Sequence, residues 1–242
     1  MTVPLAFSRL SIKAHLERPR TPRLRGDVAT AIALLAHGQL QPYDSAAFGP
    51  LPTTAIPYTQ GAGTPGARVK LTPAAVLVPL IERPEGFTLL LTKRTSDLKH
   101  HPGQVAFPGG RREPDDADMI ACALRETEEE VGLPRDSVDV LGLLDPYLTI
   151  TGYEVTPVVG VLTPPFAVTP DPVEVADTFE VPLAFVMDPA NHRREQRDYK
   201  GLTRAYYAMV YEERYIWGAT AGMILNLFEV LYAEQPLGVG AQ

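Results

Sequence analysis

The stretch from Phe107 to Leu133, FPGGRREPDDADMIACALRETEEEVGL, constrains this chain more than any other. Pro114 with Asp115, Asp116 and Asp118 suits the first turn of a helix, where proline loses no needed N–H and acids meet the positive end of the dipole. Gly132 followed by Pro134 supplies the stop. Between them Ile120, Ala123, Leu124, Thr127 and Val131 recur at helical spacing, which predicts one stripe packed on a core. At about 100° per residue, Glu126, Glu129 and Glu130 cluster within one turn and point away from the Ile120/Leu124/Val131 stripe. Three carboxylates this close repel one another unless a cation sits among them. Hard carboxylate oxygens suit Mg²⁺ or Mn²⁺. An isolated acidic run of this kind reads as a solvated helix face.

The whole stretch resembles the Nudix box, a glycine followed by a helix carrying Arg-Glu-x-x-Glu-Glu-x-Gly, here Arg125 to Gly132. With that resemblance a metal site is the better reading. Counting from Gly110, Asp116 takes the slot of the family's first Glu, and the gap to Arg125 is one residue longer than usual. The coenzyme A branch of the family is similar in its stretched, Asp-containing first half. The resemblance implies that Glu126, Glu129 and Glu130 hold Mg²⁺ or Mn²⁺, with a backbone carbonyl near Gly110 as a further ligand. It also implies that Arg125 orients these carboxylates from within its own helix.

Just upstream stand Leu90-Leu91-Thr92-Lys93-Arg94-Thr95, then Lys99, Gly103 and Phe107-Pro108-Gly109-Gly110. Arg94, Lys99, His100 and His101 make a compact basic cluster at a strand end, and the acidic helix follows at once. Cations to hold phosphates beside acids to hold a metal are what a pyrophosphate substrate requires. The two histidines lack metal-ligand partners at suitable spacing and read as loop residues. The segment is similar to the second signature of coenzyme A pyrophosphatases, with Thr95 where Ser or Ala is usual and Lys99 where Arg is usual. Lysine is a point charge without arginine's planar fork, so the second change weakens bidentate phosphate recognition.

The resemblance extends through Gly152–Gly160, Glu174-Val175 and Ile216–Ala221, covering about residues 70–235. It implies substrate contacts from Arg94, Lys99, Gly103 and Phe107, and hydrolysis of coenzyme A to 3′,5′-ADP and 4′-phosphopantetheine. The same chemistry on ADP-ribose or a dinucleotide stays open, as does a non-catalytic nucleotide-binding regulator. The family often draws its general base from a loop outside the box. Here the acidic loop Asp171–Asp177, among prolines 164, 165, 170 and 172, offers Glu174; Glu126 is the alternative within the helix.

The rest of the chain fits an α/β fold: an α/β/α sandwich of the Nudix type with a mixed sheet and an N-terminal helical extension. Expected strands run Ala74–Leu80, Phe87–Thr92, Val138–Leu144, Val155–Leu162, Thr178–Val181 and Arg204–Val210, with a turn at Pro84-Glu85-Gly86. A short helix starts at Pro182-Leu183, and Ala219–Tyr232 reads as a C-terminal helix with Ile224, Leu227, Phe228 and Leu231 on one side. Helices are expected over Leu5–Glu17 and from Asp27 to His37. Residues 41–68 have linker composition, so the division is 1–68 for the extension and 69–242 for the hydrolase domain.

Six basic residues from Arg9 to Arg25 face one acid, Glu17, and read as a solvated basic face. The net charge of −7 argues against a dedicated nucleic-acid binder. A single cysteine, Cys122, forms no internal disulfide and fits a reducing cytoplasm, where its expected role is a small packed side chain. No run approaches the length of a transmembrane helix, and the N-terminus lacks a signal peptide's apolar centre. The partner implied is a small nucleotide, with no nucleic acid and no membrane; a homodimer is compatible with these readings.

Overall fold

The computed structural model describes residues 7–20, 25–26, 71–98, 101–149, 151–199 and 202–232. The helix expected from Asp27 to His37 and the linker-like 41–68 lie outside them. In chain order the elements are α1 (Arg9–Leu16), β1 (Arg25–Gly26), β2 (Thr72–Arg83), β3 (Gly86–Arg94), β4 (Val105–Ala106) and β5 (Gly109–Arg111). Then come α2 (Met119–Val131), β6 (Val138–Leu143), β7 (Tyr147–Leu148), β8 (Tyr153–Leu162) and β9 (Val175–Pro182). The chain closes with α3 (Leu183–Val186), β10 (Arg193–Tyr199), β11 (Leu202–Tyr211), β12 (Arg214–Trp217) and α4 (Ala219–Tyr232).

The apolar run of β2 is buried on both faces, and its period of two sorts it. Ala74, Val78 and Leu80 enter the larger core, whereas Ala75, Leu77 and Ile81 pack on the other side. β8 lies parallel to β2, from Thr72↔Tyr153 to Ile81↔Leu162. β3, β6 and β9 add antiparallel pairs, so the sheet is mixed. Its path is β1-β7-β8-β2-β3-β4, with β5 on β2, β6 on β8 and β9 on β3. β10, β11 and β12 form a separate three-stranded ribbon.

Helix α2 covers one face of the sheet through Cys122 and Ala123 against Ala75, Leu77 and Val158. On the opposite face α4 packs Ile224, Leu227 and Leu231 together with Met209 and Ile216 of the ribbon. The expected α/β/α sandwich is thus the architecture observed. Helix α1 joins the same core. Ser8 and Ser11 form a reciprocal capping box, and Ile12 and Leu16 are buried beside Leu141 and Leu144. Arg9 fastens it outside by ion pairs at 3.0 Å to both Glu82 and Asp139.

Several boundaries differ from expectation. α2 starts at Met119, with the Asp118 side chain capping Ala121 N–H at 2.8 Å, so Pro114–Ala117 precede the helix. Asp116 is diverted into a buried ion pair, which removes it from a helical first turn. Within α2, Ile120 and Leu124 are only half-buried, and Cys122 completes the packed stripe instead. Gly132 ends the helix in the left-handed region at φ 70°, as a C-terminal glycine should. β10 and β12 were not expected: Arg193–Tyr199 is too polar to signal burial, and Arg214–Trp217 is very short.

Candidate active site

Two glycines bring the end of β2 to the box helix. Gly109 has φ 153°, and a Cβ there would stand 2.3 Å from Ala75 O and 2.5 Å from Val76 Cα. Only a bare backbone passes so close to β2. Its N–H then donates to Glu130 Oε2 at 3.2 Å. A Cβ on Gly110 would meet Glu126 Oε2 at 2.4 Å, so this carboxylate lies directly on the Gly110 backbone. The Gly110 carbonyl, expected as a metal ligand, accepts from the Cys122 thiol at 3.8 Å. Burial pushes that thiol up to about 12, against nucleophilic use.

Arg125 organises one part of the acidic cluster. Its Nε and Nη2 grip the two oxygens of Asp116 at 2.9 Å each, while Nη1 donates to Glu126 at 2.9 Å and Glu129 at 3.0 Å. A further bond reaches the Arg111 carbonyl at 3.0 Å. Asp116 also accepts from Glu113 N–H, and Arg125 holds its carboxyl down at about 2. Both lone-pair faces of Asp116 are therefore engaged by the protein.

The three glutamates do not share one exposed face. Glu129 is open to solvent at 56% side-chain exposure, Glu126 is half-buried, and Glu130 is buried at 5%. This corrects the expectation that all three point away from the core. The reason is the approach of Gly109 on β5 and of the Arg94 side chain, which cover Glu130. Burial pushes the Glu130 carboxyl up to about 7; Gly109 N–H and Arg94 oppose the rise, and Glu174 and Glu126 add to it. Glu126 is raised too, first by burial, with Glu129 and Glu174 adding to it and Arg125 opposing.

Glu174 therefore acts on both carboxylates, and the loop geometry explains why. The last carbonyls of α2 need partners outside the helix. Thr169 N–H bonds to Val131 O at 2.8 Å and Asp171 N–H to Glu130 O at 2.9 Å. These bonds lay the 169–174 loop along the helix end. The Asp171 side chain turns the loop by accepting Val173 N–H at 2.9 Å, and Thr95 N–H holds Glu174 O at 3.0 Å.

Arg94, at the end of β3, comes within 3.7 Å of Glu130 Oε1. Gly103 sits in the exposed loop beyond it at φ 68°, with open space where a Cβ would be. Phe107, expected at the substrate, is instead 3% exposed within the core, because β4 turns its ring inward. Lys99 and His100 lie outside the described residues. His101 contacts Gln104 at 3.0 Å.

Among the described residues, no group of three His, Cys, Asp or Glu stands ready to hold a metal. The Arg125 guanidinium bridges Glu126 and Glu129. The donor set nevertheless fits a hard divalent cation. Glu126, Glu129 and Glu130 are carboxylates under repulsion from one another and from Glu174, two of the three desolvated, and a cation among the three relieves both penalties.

An α/β/α sandwich that presents a carboxylate helix against the paired glycines of β5, next to a strand-end arginine, suits metal-assisted phosphate chemistry. The NUDIX domain model matches residues 71–200, and the chain belongs to the Nudix family. It is 46% identical over 156 residues to the uncharacterized Nudix hydrolase NudL of Cronobacter sakazakii, covering 64% of this chain and 80% of that relative. The NudL protein of Escherichia coli O1:K1 is 44% identical over the same coverage. Among solved structures, the Nudix hydrolase RenU of M. smegmatis aligns with 26% identity and a TM-score of 0.40, over 46% of this chain and 71% of that one. A C. elegans Ap4A hydrolase binary complex aligns with 21% identity and a TM-score of 0.40, over 46% and 80%. Nudix hydrolases act on nucleoside diphosphate-linked substrates with divalent metal ions, and this chain is of that family. No described helix is long and apolar enough to cross a membrane.

Proposed function

We propose that this chain hydrolyses the diphosphate of coenzyme A or an acyl-CoA, giving 3′,5′-ADP and (acyl-)4′-phosphopantetheine. The observation that carries the reading is the 3.7 Å approach of Arg94 to Glu130. There the segment that resembles coenzyme A pyrophosphatases meets the box helix. Arg94 grips a phosphate oxygen, as a cation at a strand end beside desolvated acids is suited to do. Glu126, Glu129 and Glu130 hold Mg²⁺ or Mn²⁺, with the second lone pair of the Gly110 carbonyl as a further donor. When bound, the metal supplies charge for the bridging oxygen and acidifies water. Arg125 fixes the directions of Glu126 and Glu129. Glu174 accepts the proton of the attacking water as its oxygen bonds to phosphorus and the P–O–P bridge breaks, leaving a phosphate on each fragment. The catalytic unit is residues 69–242, with α1 contributed from the preceding extension, and a reducing cytoplasm suits the buried Cys122 thiol.

Mass spectrometry of products from coenzyme A, 3′-dephospho-coenzyme A, ADP-ribose and a diadenosine polyphosphate, with Mg²⁺ and with Mn²⁺, tests the reading. Coenzyme A is expected to give 3′,5′-ADP at the highest kcat/KM, and Arg94→Ala to raise its KM. Preferred cleavage of ADP-ribose or the dinucleotide would reassign the substrate. No cleavage of any would leave a nucleotide-binding regulator.

A further inference from the structure

A second concave site lies on the other face of β3 from Glu130. Lys93 and Arg94 are neighbours on that strand, so their side chains leave opposite faces. Arg94 goes to Glu130. Lys93 instead lines an open cavity of about 380 Å³ with Gly103, Gln104, Arg214, Tyr215 and Trp217. That volume is of the order that small-molecule sites use.

One wall is aromatic and fixed. Tyr215 and Trp217 stand two apart on β12 and so share a face of the ribbon. Their rings stack at 6.3 Å with an interplanar angle of 30°, and Tyr206 meets Trp217 edge-on at 5.6 Å. Glu195 accepts from Tyr215 at 2.5 Å and from Tyr206 at 3.0 Å, locking both phenols. Core packing does not require this wall, because Met209 and Ile216 on the ribbon's other face make the core contact. Tyr215 remains 39% exposed. A rigid, partly exposed aromatic wall is a stacking platform whose ordering cost is met before a ligand arrives.

The charges beside it are unequal in availability. Arg214 is occupied by Asp177 at 2.6 Å and by the Phe179 ring at 4.4 Å. Lys93 is exposed and makes no ion pair with any described residue, while Glu213 is the acid at the rim. Short backbone links join this cavity to the candidate active site. Arg94 N–H bonds to Gln104 O at 2.9 Å, Gly103 N–H to Thr95 O at 3.3 Å, and Thr95 N–H to Glu174 O at 3.0 Å.

We infer that this cavity holds the nucleoside end of the substrate, with the base stacked on Tyr215 and Trp217 and a ribose phosphate against Lys93. The inference rests on the diphosphate-hydrolase reading and adds to it a base-binding wall that does not involve the box helix.

Trp217 is the chain's single tryptophan, so its fluorescence reports on this wall alone. In the full-length protein, 3′,5′-ADP is expected to quench that emission saturably. Lys93→Ala should weaken its binding about tenfold, while 5′-AMP, lacking the second phosphate, is little affected. Tyr215→Ala should weaken both by about tenfold through lost stacking. Emission unmoved by millimolar 3′,5′-ADP, while coenzyme A is still hydrolysed, overturns the cavity and leaves the activity standing. Quenching that depends on Lys93 in a protein that cleaves no diphosphate keeps the cavity and removes the activity. Emission that changes with protein concentration and not with nucleotide assigns this face to a second copy and overturns the proposal.

Discussion

The acidic cluster at the box helix divides into two parts that the protein answers unequally. Around Arg125, the carboxylates of Asp116, Glu126 and Glu129 are answered by one guanidinium, and Asp116 is held at about 2. Around Glu130, among the described residues, the charge is answered only by one backbone N–H at 3.2 Å and a distant arginine at 3.7 Å, and burial lifts the carboxyl to about 7. A side chain kept in a satisfied ion pair stabilises the fold. One kept desolvated and under-paired is left for something else to bind. On the reading proposed above, the Asp116–Arg125 pair is the scaffold, and Glu130, with Glu126 and Glu129 that Arg125 directs beside it, is what a cation and a substrate complete.

The largest expected effect lies in the second half. Glu130→Gln should lower kcat about a thousandfold at saturating Mg²⁺. The melting temperature should not fall, because the amide oxygen still accepts Gly109 N–H and the desolvated charge is gone. In the wild type, Mg²⁺ or Mn²⁺ at about 100 times its Kd should stabilise the fold by about 2.7 kcal/mol. The variant should lose most of that gain. Near-normal turnover in Glu130→Gln would erase the contrast between the halves.

Glu174 raises Glu130 in this half and, across the boundary, Glu126 in the other. If it takes the proton of water, Glu174→Gln should cut kcat about a hundredfold and flatten the acidic limb of the pH–rate profile. Metal affinity should be unchanged. An unaltered profile would return the base to Glu126, and a lost metal titration would make Glu174 a ligand.

The scaffold half should fail differently. Asp116→Asn leaves Arg125 without its bidentate partner and should destabilise the fold by about 3 kcal/mol, with a smaller loss of kcat. The carboxyl sits at about 2, below its ordinary 3.8, so it binds fewer protons folded than unfolded. Its stabilisation is complete above about pH 4 and is lost as pH falls toward 2. Denaturant midpoints of wild type and variant should differ most at neutral pH and converge in acid. Equal midpoints at pH 7 would show that Arg125 finds another partner.

These halves were only partly legible in the sequence. Helical spacing located α2, its glycine stop and the three glutamates, because those signals are local. Apolar runs located β2, β3, β6 and β8 for the same reason. Burial of Glu130 was not legible, since Gly109 and the Arg94 side chain reach it from elsewhere in the chain. Phe107 was assigned to the substrate through a motif, yet its apolar ring, just past the end of β4, is buried in the core. Asp116 gave no periodic signal toward Arg125, as it lies outside the helix it serves. The Tyr215/Trp217 wall needed the ribbon register, in which Val210↔Tyr215 and Ala208↔Trp217 set the shared face. A four-residue strand announces none of this.

The smallest expected effect tests where the halves touch. Glu126 is bonded to Arg125 on one oxygen and lies against Gly110 with the other. For a methyl group added at Gly110 the three nearest atoms all belong to that flexible carboxylate, at 2.4 Å for Oε2 and 2.5 Å for Cδ. Gly109 does not offer such a probe, because there the clash is with the backbone of β2. Gly110→Ala should therefore fold normally and displace Glu126 alone. A displacement of this kind at a reacting centre costs up to about a hundredfold, and a carboxylate that swings aside should lose about tenfold in kcat. The apparent Mg²⁺ requirement should rise with it, since the direction of one donor oxygen changes. Addition of Asp116→Asn to Gly110→Ala sharpens the test. If Arg125 transmits position from the scaffold to Glu126, the two losses in kcat will not add. Strict additivity would mean that Glu126 is placed by the Gly110 backbone alone, and that the two halves of the cluster act independently.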